Sequence, residues 1–463
     1  VTQREPASLT EQLAGYWSQV RFADLPDPVV AATKRVLLDT LAVGVRGATA
    51  EVAQIALRGV SSALETDTGS ARAGSAQVWG TGRCLPPAAA ALVNGTAAHA
   101  YEFDDYGGCG HSGAVVVPAV CAVADRVGAD GRQVIVALAA GYDLAARVTE
   151  GAGGYRAHND LGWHSTGTCG TFGAAAGAAS VLGLNPARFT AALGIAGSYA
   201  GGTWAFLVDG AMTKRLHPGR AAENGVSAAL FAEAGLVGPR YILDAGWGGF
   251  YSTYARETAR PEQTVQGLGS DFRIFATGTR PYPCCRGLHS SVEALLDLMQ
   301  QEHVEADAIE RMVVHGADRT VRQFRNYKVE TVLDGQFSLP YALAVVADRG
   351  QATMDEFFPL QTDRPRVREL LERVEVLADR NLGPTDEPDL EVFGRAGQVW
   401  RRHVTQPRGA PGRPLDAAFL ARKHATTAMP VLGRERYDAL GRRIAELETV
   451  RDFREVTALL TPA

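Results

Sequence analysis

Apolar residues recur at helical spacing through about residue 265 of the chain. After Asp27-Pro28, read as an N-cap with proline at the first helical position, Val29, Val36, Leu37, Leu41 and Ala42 fall on one face. Asn185-Pro186 repeats the device: Gly183 closes one helix, and Phe189, Ala192, Leu193 and Ala196 line the next. Between them GTFGAAAGAAS (Gly170–Ser180) carries side chains small enough for helix backbones to approach closely, which predicts a central buried helix. Ala114–Ala124 and Val134–Ala146 are the most apolar segments, broken by Pro118 and Asp143 and short of a membrane span, so they predict buried core helices. No period-two alternation is evident in this part.

The pattern then changes. MVVH (Met312–His315), VEVL (Val374–Leu377), LEVF (Leu390–Phe393) and QVWRRHV (Gln398–Val404) predict short strands. Helical stretches, Ser290–Gln301 and Arg366–Glu372, lie among them. A Pro/Gly-rich loop, Pro407–Pro414, ends this block, and the tail from Leu415 is helical again. The expectation is a mainly α protein: a large helical domain from residues 1–265 and 406–463, with residues 266–405 inserted as an α+β lid domain. A chain of 463 residues is also too long for one compact core.

Composition removes several classes. With 46 Lys+Arg against 51 Asp+Glu and no basic stretch, the chain lacks the electrostatic footprint of a nucleic-acid binder. VTQREPASLTEQLAGYW mixes charged and apolar residues from the start, unlike a secretory signal. Six cysteines, with Cys284 and Cys285 adjacent, do not form a disulfide framework, and a reduced cytoplasmic setting is expected, with no membrane partner. There is no Walker loop, GxSxG elbow, HExxH or strand-linked GxGxxG, which disfavours nucleotide and metal cofactors.

Four stretches concentrate polar groups in apolar surroundings. HAYEFDDYGGCGH (His99–His111) places Glu102, Asp104 and Asp105 within four positions, and packed carboxylates raise one another's pKa, as a general acid or base requires. In GWHSTGTCG (Gly162–Gly170), His164 precedes hydroxyls and glycines whose N–H groups could hold an anion. MTKRLHPGR (Met212–Arg220) carries Lys214, Arg215, His217 and Arg220, dense enough to suit a polycarboxylate. RPYPCCRGLHSS (Arg280–Ser291) offers Arg286 and His289; a metal site is weak because adjacent cysteines cannot readily share one ion. A thiol nucleophile there is a separate option.

These stretches, in this order, resemble the MmgE/PrpD family, which includes 2-methylcitrate dehydratase, cis-aconitate decarboxylase and iminodisuccinate epimerase. NGTAAHAYEFDD (Asn94–Asp105), HSTGTCGTFGAAA (His164–Ala176), MTKRLHPGRAAENG (Met212–Gly225), RPYPCCRGLH (Arg280–His289) and QFSLPYALAV (Gln336–Val345) look like its hallmark segments. The resemblance implies a homodimer without metal or organic cofactor and an active site between the domains. By residue, it implies catalytic roles for His111, His164, Lys214, His289, Glu102 and Asp104, and substrate binding by Arg215, Arg286, Tyr106, Thr166, His217 and Tyr341. The family often has Asp in place of Glu102 and Thr in place of Tyr106, and the loop to His111 looks shortened here; a phenol in place of a small hydroxyl reshapes a pocket.

The expected chemistry is proton transfer next to a carboxylate. Lys214, Arg215 and Arg286 would stabilise the carbanion or enediolate, one of His111 and His164 would be base and the other acid, and His289 would complete the site. One such intermediate can expel hydroxide, lose carbon dioxide or be reprotonated on its other face. The resemblance makes a dehydratase, the family's commonest assignment, the leading expectation, with a decarboxylase or an epimerase, or a role in specialised biosynthesis, as alternatives. A catalytically inactive binding protein of the same fold is the alternative from another class.

Overall fold

The computed structural model describes residues 6–64, 74–383 and 385–463. The first five residues of the N-terminal stretch read above lie outside these. The chain divides into two compact units. The first gathers the chain up to Ala100, Asp104–Thr277 and Thr427–Ala463; the second comprises Tyr101–Phe103 and Gly278–Thr426. The protein is mainly α, as its pattern predicts. Among the described residues no helix is long and apolar enough to cross a membrane.

The first unit is built around the small-residue helix Ser165–Val181, in which every residue but Ser180 is buried. It packs against Gly131–Gly151, Ser112–Val127, Pro186–Tyr199 and Thr213–Ala234. Close approach is possible because the contacts lack side chains: a Cβ on Gly173 would stand 2.6 Å from both the Ala145 Cβ and the Gly141 carbonyl oxygen. Asn185 caps its helix as expected, accepting from the Arg188 N–H. The first long helix differs by one residue. Pro26 occupies the cap position and Asp27 opens the first turn, where its carboxylate complements the helix dipole. A hairpin, Ala76–Val78 with Arg83–Leu85, was not foreseen, because three-residue strands are too short to display alternation.

A second glycine crossing does the most for function. Helix Pro87–His99 meets helix Thr213–Ala234 at Gly95 and Gly219, where a Cβ on Gly219 would lie 2.2 Å from the Leu92 carbonyl oxygen and one on Gly95 would lie 2.7 Å from the Gly219 Cα. His99 lies one turn beyond Gly95, and Lys214 and Arg215 lie about one turn before Gly219. The contact therefore delivers the end of one helix to the start of the other.

The second unit holds a four-stranded sheet in the order Val374–Ala378, Ile309–Gly316, Asp389–Gly394, Val399–His403. The first pair is parallel and the other two are antiparallel. Leu390 and Val392 point into the unit's own core with Leu295, Leu343 and Val345. The unit borders differ from the sequence reading at both ends, for visible reasons. Residues after 265 stay with the first unit because the buried Arg147 guanidinium donates to the carbonyls of Gln266, Gly267 and Asp271. Residues 406–426 stay with the second, where Thr279 N–H donates to the Gly409 carbonyl and the Lys423 ammonium sits 4.5 Å over the Phe103 ring.

Candidate active site

The first unit brings five of the twelve expected site residues into one buried cluster, with an unexpected sixth member: Asp104, His111, His164, Lys214 and His217 join His99. Arg215 stands beside it, with its guanidinium 3.4 Å from the His99 carbonyl oxygen. Local backbone explains the placement. His99 ends its helix, and Gly107, Gly108 and Gly110, all at positive φ, fold the chain back so that His111 becomes the N-cap residue of Ser112–Val127. His164 holds the same position on Ser165–Val181, its backbone N–H bonded to the Gly202 carbonyl. Pro218 cannot donate to the Lys214 carbonyl, so the helix ladder is interrupted where Lys214 joins the site.

Hydrogen-bond geometry fixes much of the proton inventory. Asp104, fully buried, takes His99 Nδ1 at 3.1 Å on one oxygen and His111 Nδ1 at 2.9 Å on the other. A carboxylate there accepts N–H from both rings. The paired histidines hold its pKa well below the usual carboxylate range despite full burial, which acts in the opposite direction. The Lys214 ammonium lies 3.2 Å from His99 Nε2, which must then be the acceptor. His99 is thus a neutral Nδ1–H ring linking Lys214 to Asp104. His111 has Nδ1–H held by Asp104, which favours its imidazolium; the rings of His99 and His111 are 4.0 Å apart.

His164 is different. It is fully buried, and among the described residues no carboxylate holds its ring: Nδ1 meets His217 Nδ1 at 2.9 Å, and Nε2 has no hydrogen-bond partner there. Burial, and then the charges of His111 and Lys214, keep it neutral by depressing its pKa well below the usual histidine range. His217 is also neutral, pushed down to about 4, mainly by burial. The sequence left open which of His111 and His164 is acid and which is base. The surroundings separate them into one chargeable ring and one that stays neutral.

Asp105, next to Asp104, faces the other way, accepting from the Gly113 N–H at 2.9 Å and the Tyr142 hydroxyl at 2.6 Å. Burial and then Asp104 push its pKa up to about 7. Because the folded pKa exceeds the ordinary carboxylate value, Asp105 favours folding at low pH, and that contribution is lost as pH rises toward 7. Asp105→Asn should therefore gain stability on the wild type by about 1 kcal/mol per pH unit between about pH 4 and 7, and hold a constant difference above that. Urea unfolding across a pH series measures this; a pH-independent difference would rule it out.

The remaining expected residues are placed as follows. In the first unit, Thr166 is buried and donates to the Cys109 carbonyl at 3.3 Å, and Tyr106 is half-buried on the glycine loop. In the second, Glu102 adopts positive φ and its buried carboxylate pairs with Arg280 at 3.3 Å, while His289 Nε2 lies 3.1 Å from the Cys284 carbonyl and so donates to it. Arg286 is paired with Glu387, which also accepts from Ser290. Tyr341 is a core residue: its hydroxyl donates to the Glu356 carbonyl at 2.6 Å and accepts from the Gln361 N–H, a structural assignment in place of the expected substrate contact. The thiol option weakens, since burial raises the Cys284 pKa well above the ordinary value and removes thiolate character. A cavity of about 580 Å³ in this unit is lined by Tyr282, Glu293, Arg408 and Lys423 among others, but by no histidine.

Family models for the MmgE/PrpD N-terminal domain and the MmgE/PrpD C-terminal domain match residues 11–262 and 282–447. The chain belongs to the MmgE/PrpD family and is an enzyme of the lyase kind. It is 28% identical to the cis-aconitate decarboxylase-like protein oryM of Aspergillus oryzae, over 100% of this chain and 99% of that protein. It is likewise 28% identical to the cis-aconitate decarboxylases of Homo sapiens, over 98% of this chain and 94% of that one, and of Aspergillus terreus, over 98% and 96%.

Proposed function

We propose that this lyase decarboxylates a small unsaturated polycarboxylate of the cis-aconitate type, with Asp104, His111, His164 and Lys214 as its working groups. The observation that carries the reading is Asp104 gripping two histidines, one of which is tied to a buried lysine. The relatives' names favour decarboxylation over the dehydration that the sequence alone put first.

In a tricarboxylate with an allylic carboxylate, the C–C bond to that carboxylate breaks and carbon dioxide leaves. The electron pair moves into the neighbouring double bond as a dienolate, whose charge rests on a remaining carboxylate. Lys214, desolvated, stabilises that charge, and the neutral His164 ring can add a hydrogen bond to it. His111, held protonated by Asp104, delivers one proton to the far carbon. A catalytic role for His289 and Glu102 is proposed on the family resemblance alone.

The test is product analysis of purified protein given cis-aconitate or, separately, saturated hydroxy-tricarboxylates. The reading expects stoichiometric carbon dioxide and a dicarboxylate from the first, and no turnover of the second. Water loss from a hydroxy-tricarboxylate without carbon dioxide would replace it with the dehydratase reading.

A further inference from the structure

His217 was expected to touch substrate, but its ring is turned to His164. The two Nδ1 atoms are 2.9 Å apart, and two nitrogens at that distance need one proton between them. The rings differ in exposure: His164 is fully buried, with Nε2 unpartnered, whereas His217 is only partly buried. Phe206 stands against both rings and Trp204 against His164, fixing their planes. Gly202 closes the far side, where a Cβ would come within 3.3 Å of His217 Nδ1.

Which ring owns the shared proton decides what His164 can do. If His164 donates, its Nε2 is a lone pair, which repels a carboxylate. If His217 donates, His164 Nδ1 is the acceptor and its buried Nε2–H is a hydrogen-bond donor without an acceptor. An anionic substrate selects the second arrangement, because a buried N–H finds its missing acceptor in the carboxylate. His217 can supply that proton at little cost, since the nitrogen it leaves bare is on the more exposed ring.

We infer that His217 is a positioning residue which, with a carboxylate substrate bound, holds His164 as the Nε2–H tautomer and so makes it a neutral donor to the charge that develops on the substrate. The inference rests on the proposed role of His164 in carboxylate chemistry. It extends that role to a residue that would act through His164 rather than on the reacting atoms.

Three variants separate the possibilities. His217→Asn can still offer an N–H at the Nδ1 position, His217→Asp can only accept, and His217→Leu can do neither. Turnover of cis-aconitate should stay within about tenfold for Asn and fall roughly 10²-fold or more for Leu, mainly in kcat. The direct readout is the ¹⁵N resonance of His164 Nε2 in histidine-labelled protein saturated with tricarballylate, the saturated analogue, assigned with a His164→Gln sample. Wild type and Asn should show a protonated Nε2 with a bare Nδ1, and Asp a protonated Nδ1. A bare Nε2 in wild type, or full activity in His217→Leu, overturns the tautomer inference. Full activity in His164→Gln, or failure of wild type to bind either acid, instead overturns the reading beneath it.

Discussion

Asp104→Asn should lower kcat by roughly 10³-fold while changing KM little. The substitution keeps the shape of the side chain but leaves one acceptor oxygen where two histidine N–H groups need one each. Either His99 or His111 must then lose its partner or change tautomer. If His111 does, the imidazolium loses the carboxylate that stabilises it and the proton donor is weakened. If His99 does, the link to Lys214 breaks. Both routes disable chemistry more than binding. Asp105→Asn is the internal control: one residue away on the same loop, it bonds to Gly113 and Tyr142, and its activity should stay within severalfold of wild type. Steady-state kinetics on the pair, with thermal unfolding to check folding, decides the matter. Equal losses in both variants would mean that the loop is only structural.

Lys214→Ala should cost about 10³ in kcat/KM. Lys214 is 1% exposed, so its charge is little diluted by water and acts at close range on any anion in the cluster. The variant also removes the closer of two donors at His99 Nε2, leaving the Arg215 guanidinium at 3.4 Å, and so loosens the ring that helps hold Asp104. Lys214→Arg should not restore activity. A planar guanidinium needs more room than a buried ammonium, and Arg215 already occupies the adjoining space. Small alkylammonium ions, which fit the space left by alanine, should recover part of the rate. Activity of Lys214→Ala within tenfold of wild type would remove the lysine from the mechanism.

Much of this was legible in the sequence, and the parts that were not have physical reasons. The run of small side chains at Gly170–Ser180 revealed the buried helix Ser165–Val181, and short apolar runs revealed the strands of the second unit. The cap at Asn185 was read directly, and the one at Pro26 was misplaced by a residue, since aspartate serves equally well as cap or in the first turn. His99 lay within a stretch already singled out, yet nothing in its spacing says that it meets Lys214. That contact depends on glycines 95 and 219, which look like ordinary small residues until two helices touch there. The pairings of Arg286 and Tyr341 were hidden for the converse reason. Their partners, Glu387 and the Glu356 carbonyl, lie far enough along the chain that a local motif cannot show them. Charge and residue type located the chemistry, whereas tautomers and pairings required coordinates.

Turnover of cis-aconitate in heavy water, followed by proton NMR with carbon dioxide collected, bears most directly on the buried Asp104–histidine–lysine cluster as the proton-handling centre. The expected result is one solvent deuteron fixed on product carbon for each carbon dioxide released by the wild type, with both falling together in Asp104→Asn and Lys214→Ala. Undiminished deuterium transfer and carbon dioxide release in those two variants would contradict the account and place the chemistry elsewhere in the chain.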